Sequence, residues 1–459
     1  MADFEALLAE AHRLKLRLLL DFVPNHSSDH HSWFLESRSS VDNPKRDWYI
    51  WADTPTPPNN WLSVFGGSTW EHDPVTNQSY YHAFLKEQPD LNYRNPDVVE
   101  AMKGVLGYWL ERGVDGFRVD AIPFLFESTD LSLNEPTQLW NSFGAHNYTQ
   151  NVPPIHSLCA QLMAKVLSYG HDKFFLGEVY APINEIVAYY GTREAPEFSM
   201  PFNFFLLMDA NAYVPSNIAA AIETYTAAVP AWGWTNYVMS NHDNPRIATK
   251  VGAARASLAN LLLLTLRGTP TLYYGQELGM QDVPIPPNEI KDPWAIRMGQ
   301  AFGRDPERTP MQWTCAPNAG YCASCTPWLP VAADFCSGGM NVEAQLEVNS
   351  SALRVLTATI AERRRSRSLL EGAQSIFVAS DETGVLAFKR SAPGSATAVV
   401  AMNWGTTPVM ANLSKGFRGT GYAAVSTVSG AFAPRHAFDM GATPLAVGEG
   451  LLLFSSLAS

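Results

Sequence analysis

The chain has 459 residues, 46% of them hydrophobic and 17% charged, a globular balance long enough for two or three domains. Its net charge of -12 excludes a phosphate-neutralising surface, since the Arg363-Arg364-Arg365 triplet is its one basic cluster and reads as the solvated face of a helix. The longest apolar run, Leu261 to Leu266, is far short of the ~20 residues a membrane span needs, so a soluble chain is expected.

In chain order, Met1-Ala2-Asp3-Phe4-Glu5 reads as the first turn of a helix, and its acidic character shows no signal peptide. Six short β-branched or aliphatic runs then alternate with helix-period stretches, the pattern of repeated βα units around a parallel sheet. They are Arg17 to Val23, Gly116 to Val119, Lys173 to Val179, Pro201 to Leu207, Tyr237 to Ser240 and Thr269 to Tyr274. Polar or charged residues close them: Asp21 and His26, then Asp120, Glu178, Asn203 and Asn241-His242-Asp243. In a βα-barrel the C-terminal strand ends form the active face, so these side chains are expected to converge.

The stretch from 27 to 92, dense in Trp, Pro, Gly and Asn, is too long for an ordinary βα loop and predicts an inserted subdomain. Its Trp33, Trp48, Trp61, Phe65 and Trp70, with Tyr93 just beyond, read mostly as a local core, with one or two left to stack on a ligand. Between Gly279 and Asn341 lies an irregular stretch holding Cys315, Cys322, Cys325 and Cys336. Two disulfides, in any of three connectivities, are favoured over a zinc site, because Cys322 and Cys325 alone have the close spacing of a ligand pair. Disulfides imply an oxidising compartment, and sequons at Asn77, Asn147, Asn349 and Asn412 agree with secretion. The domains expected are a catalytic barrel of 1–26 and 93–370, the insertion of 27–92, and a β-sandwich of 371–459.

A carboxylate pair at strand ends suits glycosidic hydrolysis, which needs one group at the anomeric carbon and one acid for the leaving oxygen. Taken singly, Asp120 and Glu178 read more often as helix caps or ion-pair partners. Four spaced motifs change that reading: Asp21-Phe22-Val23-Pro24-Asn25-His26, Gly116-Phe117-Arg118-Val119-Asp120-Ala121, Gly177-Glu178-Val179-Tyr180 and Asn241-His242-Asp243-Asn244. In this order they resemble the signature regions of the α-amylase family, glycoside hydrolase family thirteen. Gln88-Pro89-Asp90-Leu91-Asn92 and Arg308-Thr309-Pro310-Met311-Gln312-Trp313 extend the resemblance toward animal maltases.

The resemblance implies a TIM-type (β/α)8 barrel and a retaining α-glucosidase acting on maltose-like oligosaccharides. It makes Asp120 the nucleophile, Glu178 the acid and then base, and Asp243 the carboxylate that binds ring hydroxyls. It adds Asp21, His26, Arg118, His242 and Arg308 as substrate-binding residues, with Arg304 close to Arg308. Physically, Arg118 stands two residues before Asp120 on one strand face, where it would keep the nucleophile ionised. Ala121 matches the small residue of relatives preferring α-1,4 links. Asp21 falls on the family's third strand, so the chain is expected to lack the first two strands and the loop that completes the sugar pocket. Weak or no activity is expected unless another chain or a further N-terminal segment closes the sheet. The chemistry requires no cofactor and no metal; the region that binds calcium in this branch has no counterpart. The rival readings are a non-catalytic ectodomain resembling the heavy chain of heteromeric amino-acid transporters, with membrane attachment through a segment this sequence does not contain, and an inactive fragment that binds sugar without cleaving it.

Overall fold

The computed structural model describes residues 1–136, 146–208 and 213–455. Its contacts divide the chain into two compact units, one of residues 1–202 with 228–234 and one of residues 203–227 with 235–459.

The strands of the first unit are β1 (Leu19–Phe22), β2 (Trp51–Ala52), β3 (Trp70–Asp73), β4 (Gln78–Tyr81), β5 (Gly116–Val119), β6 (Phe174–Gly177) and β7 (Met200–Pro201). β1, β5, β6 and β7 form one parallel sheet in that order. Parallel neighbours need long crossovers, and helices Pro96–Leu110 and Ile155–Leu167 supply them ahead of β5 and β6. Asn95 caps the first by accepting from the Asp97 N–H, with Pro96 at its opening position. Alternation along β5 buries Phe117 and Val119 on one face, so Arg118 and Asp120 project from the other. Register then sets Arg118 directly opposite Asp21 of β1.

Gly116 opens β5 because nothing larger fits: a Cβ there would lie 1.9 Å from the Phe174 carbonyl oxygen of β6. Among the described residues β1 pairs on one side only, and Leu19 and Val23 stand 36% and 38% exposed. In the stretch after β1, strands β2, β4 and β3 make a small antiparallel sheet over a core of Ala52, Trp61, Trp70, Tyr81 and Ala83. Trp61, Trp70 and Tyr93 are thus structural, each at most 5% exposed.

The predicted strand from Pro201 to Leu207 is corrected. Pairing stops at Pro201, which has no N–H for a ladder, and Phe205–Met208 is helical with Asn203 Oδ1 accepting the Phe205 N–H.

The strands of the second unit start with the parallel pair β8 (Asn236–Val238) and β9 (Thr269–Thr271), between which runs helix Ala256–Thr265. It continues with β10 (Ala373–Ser380), β11 (Val385–Ser391), β12 (Ala398–Asn403), β13 (Val409–Ala411), β14 (Thr420–Ser426), β15 (Gly430–Asp439), β16 (Thr443–Leu445) and β17 (Gly450–Phe454). Six of these form a sheet in the order β10-β11-β12-β17-β14-β15, while β13 pairs with β16. Each face of the larger sheet is covered. Leu386, Phe388, Val400 and Leu452 join one cluster with Leu258, Leu261 and Leu262 of the helix, and Val399, Ala401, Leu451 and Leu453 pack with Ala411 and Leu445. At roughly 1.5–3 kcal/mol per fully buried aliphatic side chain, these two layers fix the sheet to its helix.

In the irregular stretch, Cys315 pairs with Cys336 and Cys322 with Cys325, while Cys159 is a buried free thiol. Asn77, Asn147, Asn349 and Asn412 are all exposed.

Gly116→Ala is expected to lower stability by about 2 kcal/mol or more, because its Cβ meets backbone that cannot swing away. Urea denaturation checks this; an unchanged midpoint would show that β5 and β6 can separate without loss.

Candidate active site

Three strands of the first unit deliver one charged cluster. Arg118 Nη1 donates to Asp21 Oδ1 at 2.8 Å and to Asp120 Oδ1 at 2.6 Å, and Nη2 lies 2.6 Å from Glu178 Oε1. The arginine side chain is 17% exposed, those of Asp120 and Glu178 24% and 9%. Burial opposes its charge, yet the carboxylates of Glu178, Asp120 and Asp21 outweigh that cost, so its pKa lies above the ordinary arginine value. Arg118 therefore serves more than the nucleophile candidate for which the sequence singled it out. It binds three carboxylates through one planar fork, a geometry lysine cannot reproduce.

The second oxygen of Glu178 accepts the Ala121 N–H at 3.2 Å. That N–H points there because Ala121 sits in the left-handed region, at φ 50°, which non-glycine residues seldom occupy. Strain thus falls on the residue next to Asp120.

His26 follows β1 and has a side-chain amide at each ring nitrogen, Asn25 Nδ2 lying 3.4 Å from its Nδ1. Gln88 Oε1 accepts the Leu85 N–H at 3.1 Å, which turns its amide nitrogen toward His26 Nε2 at 2.8 Å, so Nε2 accepts. Burial, only partly offset by the charge of Asp120, pushes the His26 pKa down to about 4. Below the ring, Asn25 Nδ2 donates to Asp90 Oδ2 at 3.0 Å and the Ala83 N–H to Asp90 Oδ1 at 2.9 Å. Gln88 and Asp90 are support residues that sequence reasoning did not assign, although both lie in the fifth motif.

In the second unit, Asp243 lies beyond β8. Its Oδ1 accepts from Arg308 Nη2 at 2.6 Å and Arg304 Nη1 at 3.0 Å, while Oδ2 lies 3.2 Å from His242 Nε2. Arg308 Nε also donates to the His242 carbonyl at 2.6 Å. The structure thus brings Asp21, Arg118, Asp120 and Glu178 into one cluster, with His26 near enough to feel the charge of Asp120, and His242, Asp243 and Arg308 into another. Among the described residues no group of three or more His, Cys, Asp or Glu side chains is arranged to hold a metal ion.

Carboxylates at the C-terminal ends of parallel strands, followed by an antiparallel sheet domain, are the arrangement expected at the active face of a βα-barrel enzyme. Residues 1–372 match the family model for the alpha amylase catalytic domain. The chain belongs to the alpha-amylase family, and its fold is that family's TIM barrel with a C-terminal sheet domain. It is 38% identical over 450 residues to a salivary alpha-glucosidase of Anopheles gambiae, covering 92% of this chain and 74% of the relative. The human amino acid transporter heavy chain SLC3A1 is 36% identical over 376 residues, 77% of this chain and 53% of that protein. Among solved structures, the alpha-glucosyl transfer enzyme XgtA superposes with a TM-score of 0.87 at 33% identity, over 99% of this chain and 86% of its own.

A histidine with a depressed folded pKa stabilises the fold above its unfolded value of about 6.5, and that contribution is lost as pH falls toward 4. The stability difference between the wild type and His26→Gln should therefore shrink by up to about 3 kcal/mol between pH 7.5 and 4. Urea titrations of both proteins measure it, and a difference independent of pH would show that His26 is not held neutral.

Proposed function

We propose that the chain is a retaining α-glucosidase that releases glucose from the non-reducing ends of α-1,4-linked oligosaccharides. The observation that carries this reading is the anchoring of Asp120 and Glu178 side by side on the Arg118 guanidinium. Adjacent nitrogens of one fork favour the short separation of about 5 Å used by retaining enzymes over the about 6.5–9.5 Å that leaves room for an inverting water.

In this mechanism the Asp120 carboxylate attacks the anomeric carbon while Glu178 gives its proton to the departing glycosidic oxygen. Glu178, now a carboxylate, takes a proton from water as that water's oxygen breaks the glucosyl ester and frees Asp120. A protonated Glu178 keeps its carbonyl oxygen for Arg118 and presents its O–H to the leaving group. Asp243 takes the role of binding ring hydroxyls, with His26, His242, Asp21 and Arg308 as further polar partners of the sugar. Ala121 supports the α-1,4 preference. The similarity to a salivary alpha-glucosidase, two disulfides and four exposed sequon asparagines support work outside the cell. Among the described residues β1 is paired on one side only, and the exposure of Leu19 in it and of Val23 just after it supports its reading as an inner barrel strand.

The likeness to SLC3A1 favours a second reading, a non-catalytic transporter subunit. Among the described residues no helix is long and apolar enough to cross a membrane.

Glucose release from maltose and from p-nitrophenyl α-glucoside separates these readings. Glu178→Gln should lose about 100- to 10,000-fold on maltose and less on the nitrophenyl substrate, whose leaving group needs little protonation. A folded wild type that cleaves neither would favour the transporter subunit.

A further inference from the structure

Asp243 is held from behind by a pair of residues that the reaction does not otherwise use. Asp292 caps helix Pro293–Met298, and its side chain is fully buried. Its Oδ2 accepts Arg304 Nε at 2.9 Å and the Arg304 N–H at 2.8 Å, while Oδ1 accepts Arg304 Nη2 at 2.8 Å. This is a two-toothed grip on the guanidinium that fixes its plane. Trp294 backs the same group, with the guanidinium carbon 5.7 Å from its ring centre. Asp305 sets the loop in turn, its Oδ2 accepting the N–H groups of Lys291 at 2.7 Å and Asp292 at 3.0 Å. Burial alone would raise the Asp292 pKa, but the bonds from Arg304 hold it below the usual carboxylate range.

With Nε and Nη2 committed to Asp292, Nη1 is turned onto Asp243 Oδ1. Arg308 reaches that same oxygen but is more open, 29% exposed against 15% for Arg304. Both cations therefore gather on one oxygen of Asp243, which fixes the rotation of its carboxylate and leaves the other oxygen beside His242.

We propose that Arg304 and Asp292 form a positioning pair that sets the angle at which Asp243 presents its second oxygen to the sugar. The proposal rests on the reading of Asp243 as a sugar-binding carboxylate. Arg304 acts through Asp243, so removing it should matter only while Asp243 is there to be aimed. Its work also needs the fork, because a lysine ammonium cannot grip both carboxylates in a fixed plane.

The test compares Asp292→Asn, Arg304→Lys, Arg304→Met, Asp243→Asn and the double variant Asp243→Asn/Arg304→Met in the full chain. Two readouts are needed: kcat and KM on p-nitrophenyl α-glucoside, and calorimetric affinity for 1-deoxynojirimycin. Misaimed carboxylates cost about 10- to 100-fold, so the Arg304 and Asp292 variants should lose that much in kcat with little change in KM, assayed well below their melting temperatures, which fall because a buried ion pair is broken. Inhibitor affinity should fall as well. The double variant should match Asp243→Asn alone in both readouts. Losses that multiply in the double variant, or an Arg304→Lys protein with full kcat, would overturn the proposal. If Arg304→Met does not fold, Asp292→Asn paired with Asp243→Asn completes the same cycle. A wild type that binds the inhibitor without turnover would refute the hydrolase reading and leave the affinity cycle to decide the pair. One that neither cleaves nor binds would overturn both.

Discussion

One guanidinium organises the first unit's chemistry. Arg118 sits where three negative side chains from β1, the end of β5 and the end of β6 would otherwise repel one another, and it ties all three to one plane. The arrangement depends on the sheet: parallel register sets Asp21 opposite Arg118, and strand alternation puts Arg118 and Asp120 on one face. Gly116 permits the close approach of β5 and β6 that brings Glu178 within reach. A short ladder of backbone hydrogen bonds thus decides the positions of charges it does not touch.

The second unit treats its carboxylate in the same way with different parts. Asp243 is held by two arginines on a loop pinned through Asp292 and Asp305. That irregular stretch is tied down in two further ways: a disulfide between Cys315 and Cys336, and fully buried Arg246, which donates to the carbonyl of Glu307 within it and to that of Tyr274 just before it. Without such anchors a long loop between Gly279 and Asn341 would spread Arg304 and Arg308 over many orientations. The double-faced β domain gives helix Ala256–Thr265 a fixed backing, since that helix is buried along nearly its whole length.

Much of this was legible in the sequence where function lies close to a strand end. β5 runs over the predicted Gly116–Val119, and β1, β6, β8 and β9 fall inside or within a residue of their predicted runs. The motifs carry both the strand and the charged residue that follows it, so pattern and chemistry agree. Pro201 to Leu207 misled because its apolar run fits either period, and the missing N–H of Pro201 decides for a break. The supports were harder to read. Gln88 bonds a ring 62 residues away, and Arg304 reaches a carboxylate 61 residues away, spacings with no local period to reveal them. Asp292 drew no reading from the sequence; it caps a six-residue helix, and its hold on Arg304 appears only once the loop has folded back.

The central claim is that the Arg118 cluster is a retaining centre with Asp120 as its nucleophile. Incubation with a 5-fluoro-glucosyl fluoride, followed by proteolysis and mass spectrometry, tests it most directly, because the fluorine slows hydrolysis of the glucosyl-enzyme. The account predicts a covalent label on the peptide containing Asp120 and none in an Asp120→Asn variant. A label on Glu178 or Asp243, or turnover that releases the inverted anomer with no label at all, would contradict it.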